Sequence, residues 1–295
     1  TNPKRYVLAA GAVGLPPYNF GIVENKGVEM ELGWNSTIGK VNYYLKGIYA
    51  FNRNKVIEKS EAAKPYPYMY EAGLPIKQFI GYQYDGFFSS YDEIASSPQQ
   101  FGLTNLKPGD IKYKDINGDG IVDENDQAPI GYSTVPEMTY SLQLGASYKG
   151  FDVSVMFQGA ARSSVYLYQD LGWDNMTGNY YEEHINRWTP ETAATATYPR
   201  FLQGSKESHQ NYYLSDFWLK DGKYLRLKNV MISYTFDKKM LRKTPFSSLK
   251  IFASGFNLIT WDKLKKVDPE VAPSSNTGYF YPQQRQYNMG INVSF

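Results

Sequence analysis

The sequence predicts an all-β protein, an antiparallel transmembrane β-barrel segment with long extracellular loops, from three observations. Hydrophobic residues alternate with period two over runs of about ten residues, the length that a barrel strand needs to cross a bilayer. Aromatic residues are abundant: 27 Tyr, 16 Phe and 5 Trp make up 16% of the chain. Short connections mostly alternate with long ones, the pattern of brief periplasmic turns and extended outer loops.

The alternation is legible strand by strand. In 28–34, Val28, Met30, Leu32 and Trp34 oppose Glu29, Glu31 and Gly33. In 41–52, Val41, Tyr43, Leu45, Gly47, Tyr49 and Phe51 oppose a set containing Asn42, Lys46 and Asn52. In 138–148, Met138, Tyr140, Leu142, Leu144, Ala146 and Tyr148 oppose Thr139, Ser141, Gln143, Gly145 and Ser147. Beyond the turn Lys149-Gly150, Phe151, Val153, Val155 and Phe157 oppose Asp152, Ser154 and Gln158. The last run sets Tyr287, Met289, Ile291, Val293 and Phe295 against Asn288, Gly290, Asn292 and Ser294. Successive side chains of a strand point to opposite faces, so each run builds one apolar and one polar face. The stretch 222–236 breaks phase: Leu225 and Leu227 lie on one parity, Val230, Ile232, Tyr234 and Phe236 on the other. A β-bulge near Lys228-Asn229 restores one apolar face. Weaker patterns predict a descending strand at 76–88 and an ascending one at 110–116. Counting from residue 5 gives about ten strands.

A soluble sandwich would turn the apolar faces inward and use shorter strands of about 5–6 residues. A barrel turns them to lipid and lines a wet lumen with the other face. Charges on the polar faces (Glu29, Glu31, Lys46, Asp152) suit a wet interior. Aromatics near strand ends (Trp34, Tyr148, Phe151, Phe236, Phe295) suit an interfacial girdle. Connections at 35–40, 149–150 and 237–247 are short, and those at 53–75, 117–136, 164–221 and 260–283 are long.

Bulk composition excludes other classes. The net charge is +2, with Lys and Arg spread along the chain, so no concentrated phosphate-binding face and no nucleic-acid partner is expected. The densest basic group, Lys238, Lys239, Arg242 and Lys243, reads as a solvated turn. There is no Cys, hence no disulfide framework and no thiol nucleophile. Mean hydropathy is −0.50, and no apolar run approaches the ~20 residues of a membrane helix. The chain starts Thr1-Asn2-Pro3 with no signal-peptide pattern, as expected of a processed terminus or of an internal stretch of a longer protein.

The segments ENKGVEMELGW at 24–34, GDIKYKDINGDGIVDENDQAPIG at 109–131, RWTPETAATATYPRF at 187–201, FWLKDGKYLRLKNVMISYTF at 217–236, LKIFASGFNLITWDKLKKVDPE at 249–270 and the terminal YNMGINVSF stand out as signatures. They resemble segments of the SusC/RagA family of TonB-dependent outer-membrane transporters. They run in family order over nearly the whole chain. The resemblance implies that residues 1–295 are the carboxy-terminal portion of a 22-stranded barrel with a plugged lumen. The plug, the TonB-box segment and the amino-terminal strands have no counterpart in this sequence, which reads as a fragment or as one piece of a split barrel. It further implies import of an oligosaccharide or a peptide, a SusD-like surface lipoprotein on the outer loops, lipid around the wall, and TonB acting through the missing plug.

Two groups of residues could carry specific chemistry. Asp115, Asn117, Asp119, Ile121 (through its carbonyl), Asp123 and Asp126 follow the spacing of a calcium loop, with Gly120 at the sharp turn. A weak extracellular-type affinity of ~10⁻⁴–10⁻³ M for Ca²⁺ is the matching expectation, and Asx-turns closing a polar loop are the alternative. The segment 164–221 offers Trp173, Asp174, Tyr180, Tyr181, Arg187, Trp188 and Trp218 as candidate ligand or partner contacts. Aromatic faces stack on sugar rings, and Tyr, Trp and Arg are enriched at interfaces; the same residues could instead pack the loops on themselves.

No catalytic residue is expected. His184 and His209, the only two histidines, lie outside any zincin or triad pattern. Glu182 and Glu183, read as strand neighbours, point apart. A non-transporting surface glycan-binding sandwich and a barrel enzyme stay open as alternatives; the sandwich requires Val41, Leu45, Leu142, Val153 and Ile291 in a dry interior.

Overall fold

Seven strands, each hydrogen-bonded to its neighbours in sequence order, form one antiparallel sheet. The computed structural model describes residues 21–169, 172–174, 180–202, 209–264, 267–270 and 283–295. The strands are β1 (Ile22–Ile38), β2 (Val41–Glu58), β3 (Met138–Tyr148), β4 (Phe151–Ala161), β5 (Tyr224–Thr235), β6 (Ser248–Asp262) and β7 (Gln286–Ser294). This up-and-down order is that of a barrel wall. The strand expected to begin near residue 5 lies outside the described residues.

The hydrophobic pattern sets the register, because a one-residue slip would exchange the two faces. Trp34 pairs with Leu45, Leu45 with Leu144, Leu144 with Val155 and Val155 with Val230. One residue along, Gly33, Lys46, Gln143, Met156 and Asn229 form the corresponding row of the other face. On that face Lys46 reaches Glu31 at 2.7 Å and Gln143 donates to the Tyr44 hydroxyl at 3.2 Å. The apolar rows are bare: Leu45 is 41% exposed, Ile232 51% and Ile291 63%. Among the described residues no second sheet covers them, so the dry interior that a sandwich requires at Leu45, Leu142, Val153 and Ile291 does not exist.

The phase break in β5 is a bulge at the expected place. Met156 pairs with Asn229 and Phe157 with Leu227, which leaves Lys228 as the extra residue. Leu225 and Leu227 thereby join Val230 and Ile232 on the apolar face. The Lys149-Gly150 turn closes with both residues at positive φ, +47° and +89°. That is the twist a two-residue hairpin demands, and glycine adopts it without strain. Close to this end, Phe151 packs on Tyr234 at 4.5 Å and Tyr234 on Phe236 at 4.9 Å, which brings Phe151 and Phe236 of the expected girdle to the short-turn edge of the sheet. The basic turn carries a one-turn helix, Lys238–Leu241, whose amino end Asp237 caps; Leu241 is buried there while Lys238, Lys239, Arg242 and Lys243 are exposed.

The strands expected at 76–88 and 110–116 are not wall strands. β2 pairs directly with β3, from Val41 with Tyr148 to Phe51 with Met138, leaving no slot between them. Their residues instead form two- to four-residue pairs above the wall: 79–81 with 128–130, 84–87 with 111–113, and 99–100 with 121–122. These lengths fall far short of the ~9–11 residues needed to span a bilayer.

Candidate functional site

All the long connections leave the same end of the sheet, and the protein's buried core lies among them. Phe88, Ile111, Tyr113, Val122, Trp173 and Trp218 are almost completely buried, whereas the apolar face of the wall is not. Short strand pairs cannot satisfy every backbone group in such a core, and side-chain amides supply the missing partners. Asn211 accepts from the Ile111 amide at 2.8 Å through Oδ1 and donates to Asp110 Oδ1 at 3.0 Å through Nδ2. Gln210 donates to the Ile111 carbonyl at 3.0 Å, while its own carbonyl accepts from the Tyr113 hydroxyl at 2.7 Å. Asp110, fully buried, is compensated by the Arg200 guanidinium at 2.7 Å. Beside them, burial pushes His209 below the usual histidine value against the opposing pull of Asp110.

The seven candidate contact residues divide by depth. Trp173, Asp174 and Trp218 are buried. Asp174 accepts hydrogen bonds from the Tyr198 hydroxyl at 3.3 Å and from the Tyr212 hydroxyl, and burial pushes both phenols far above their ordinary value, keeping them as donors. The Trp218 indole donates to the Asn211 carbonyl at 2.8 Å. These three build the loop core. Tyr180 and Tyr181 are exposed, and Arg187 and Trp188 are half-buried. Arg187 lies over the Phe201 ring at 4.7 Å. Trp188 packs on Gly109, where a β-carbon would collide with the indole and where φ is +89°. Tyr180 also meets Phe201, at 5.2 Å, so Tyr180, Arg187 and Phe201 form one surface cluster. Asn175, the neighbour of Asp174, lies outside the described residues.

The 115–126 loop folds on its own amides. Asp115 accepts from Gly118 and Gly120 at 2.7 and 2.8 Å, Asn117 from Asp119 at 2.9 Å, and Asp119 from Ile121 at 2.8 Å. Asp126 is fully buried and takes the amides of Ile116, Asn117 and Asp123. Asp123 caps the following 3-10 turn, Glu124–Asp126. Among the described residues no three acidic or histidine side chains stand grouped as metal ligands, so a cation would have to draw oxygens away from these amides.

A charged cluster that sequence reading missed ties a loop to the wall. Arg226, only 1% exposed, contacts Thr260 Oγ1 at 2.9 Å, Asp268 at 2.7 Å and Glu270 at 3.2 Å. The bulge residue Lys228 adds a second contact to Glu270 at 2.7 Å. Two cations thus meet two carboxylates where β5 and β6 reach the loops. The available signal was the spacing: Arg226 lies on the polar phase of β5, and Asp268 and Glu270 follow β6 closely.

His184 is buried, with Nε2 3.3 Å from the Gly172 carbonyl. Glu182 and Glu183 sit in the 3-10 turn Glu182–Asn186 and not in a strand, a correction to the sequence reading. Consecutive residues of a 3-10 turn still point apart, by about 120°.

Comparison with known proteins agrees with this architecture. The chain is 27% identical over 302 residues to a TonB-dependent receptor of Formosa agariphila, covering 94% of itself and 30% of that protein. It is 23% identical over 298 residues to the TonB-dependent receptor SusC of Bacteroides thetaiotaomicron, covering 94% of itself and 27% of SusC. It superposes on the structure of the RagAB peptide transporter with a TM-score of 0.70 at 21% identity, over 95% of this chain and 30% of that one. The chain therefore spans less than a third of the length of the curated relatives it matches. No family model matches it.

Proposed function

We propose that this stretch of chain, similar over nearly all its length to TonB-dependent receptors, SusC included, is wall, lumen surface and outer loops of a nutrient importer in a bacterial outer membrane. The carrying observation is the bare apolar face of the seven-stranded sheet, which needs a covering layer and whose strands have the length to cross a bilayer. The cargo is an oligosaccharide or a peptide. A SusD-like lipoprotein sits over the loops, and TonB acts through a plug that residues 1–295 do not supply. Tyr180, Tyr181, Arg187 and Trp188 are the contacts offered at the surface, while Trp173, Asp174 and Trp218 are buried in the loop core.

Deleting the gene for the complete protein should abolish growth on its cargo and leave growth on monosaccharides and free amino acids intact. A TonB-null strain should show the same phenotype. Unchanged uptake of every oligosaccharide and peptide tested in both strains would sink the reading.

For the Asp-rich loop we propose weak Ca²⁺ binding by Asp115, Asn117, Asp119, Ile121 and Asp123, with Asp126 closing the loop. Its support is the spacing of the loop, with Asp115, Asn117, Asp119, Gly120 and Asp123 at the positions a calcium loop uses. Calorimetric titration of the complete protein should give heat at ~10⁻⁴–10⁻³ M Ca²⁺, lost in Asp119→Ala. Absence of heat in both proteins defeats it.

A further inference from the structure

The loop assembly holds a cleft of about 640 Å³ that meets the sequence motifs only at Asp123, at the edge of the Asp-rich loop. Three rings, Tyr82, Phe101 and Tyr213, form its floor, and Asp123, Glu124 and Gln127 form its rim. No Lys or Arg lines it. Phe101 meets Tyr82 at 5.0 Å and Tyr213 at 4.9 Å, in both cases edge-on, at 84° and 83°. The Tyr82 and Tyr213 centroids stand 6.0 Å apart. Gln127 donates to the Tyr82 hydroxyl at 3.0 Å and fixes that ring.

Two features indicate that the cleft is built. Phe101 occupies the left-handed region, with φ +54°, a conformation costly for a bulky side chain. It is held there by a hydrogen bond from its amide to the Val122 carbonyl at 2.8 Å. The Asp123 carboxylate is fixed as well, accepting the Asn125 amide at 2.7 Å, while the Asp123 amide is held by Asp126 at 2.9 Å. Glu124 projects into water beside them.

The electrostatics have one sign. Ring faces are negative, two carboxylates stand at the edge, and no basic residue in the lining compensates them. Burial raises the Tyr82 hydroxyl above its ordinary value against the Gln127 bond, and the charges of Asp123 and Glu124 add to the rise. Phe101 stands at 84° and 83° to Tyr82 and Tyr213, so the three rings make no single flat platform of the kind a pyranose stacks on. A cation gains from a ring face in any of these orientations.

We propose that this cleft binds an organic cation, an alkyl ammonium or guanidinium group, between the three rings and the Asp123–Glu124 rim. The proposal rests on the import reading insofar as it gives the cargo a charge class. It is tested by binding alone, so either can fail without the other.

The test is calorimetry on the complete protein in detergent with four probes: the peptide Gly-Gly-Arg-Gly-Gly, its citrulline analogue, agmatine and a neutral maltooligosaccharide. The arginine peptide should bind at least ~10-fold more tightly than the uncharged citrulline peptide. Glu124→Gln should weaken it about 3–10-fold and Glu124→Lys abolish it, with thermal stability unchanged because Glu124 is exposed. Agmatine binding as well as the peptide identifies a free cation as the source; binding of the peptide alone identifies a basic peptide side chain. Equal affinity for the arginine and citrulline peptides, binding of the oligosaccharide alone, no binding by any cation, or indifference to Glu124→Lys overturns the proposal.

Discussion

Replacing Arg226 by Met should lower the stability of the complete protein by about 3 kcal/mol, the lower part of the range for breaking a buried ion pair. The guanidinium is nearly inaccessible, and it faces Asp268 and Glu270, whose side chains are only 10% and 12% exposed. Removing it leaves two carboxylates with only Lys228 to offset them. The loss should register as a lower unfolding midpoint in detergent and as faster protease cleavage after β6. Lys228→Met should cost much less, because Lys228 is 28% exposed and the Arg226 contacts remain. Replacing Arg226, Asp268 and Glu270 together by Met, Leu and Leu should recover most of the midpoint, since a buried ion cluster and its apolar isostere are often close in free energy. An Arg226→Met protein as stable as the parent would show that the cluster contributes nothing.

Leu144→Arg should cost about 2–4 kcal/mol of folding stability in a bilayer, while Gln143→Arg should cost close to nothing. The two positions are adjacent on β3 and differ only in face. Leu144 lies in the row with Leu45 and Val155, Gln143 in the row with Lys46 and Met156. A charge in hydrocarbon must be hydrated at the expense of the bilayer, whereas a lumen charge stays in water. Urea titration of the complete protein refolded into vesicles would measure both. Equal costs at the two sites, or the larger cost at Gln143, would mean that the sheet is turned the other way.

The wall was legible because a strand that is greasy on one face writes its own periodicity. The runs at 28–34, 41–52, 138–148 and 151–158 all lie within observed strands, the run 287–295 does so up to Ser294, and even the Lys228 bulge follows from a single break in phase. The loops were not legible, for a physical reason. Their core is closed by side-chain partners far apart in sequence, such as Asn211 with Asp110 and Gln210 with Ile111, and no period announces such pairs. The weak alternation at 76–88 and 110–116 came from residues that do bury one side, but in short pairs under the loops. The same limit applies to the candidate contacts. Aromatic content flagged Trp173 and Trp218 equally with Tyr180 and Tyr181, and only depth separates them. The cleft of Tyr82, Phe101 and Tyr213 gathers three distant segments, so no single run of residues announces it.

Lys228 fixes more than the outline of β5. Without this single added residue, the upper part of the strand would rotate by half a repeat. Arg226 would then point into hydrocarbon, and Leu225 and Leu227 into the aqueous channel. One inserted amino acid therefore decides that the tether for the 268–270 segment hangs on the polar face of the wall and not on its apolar side.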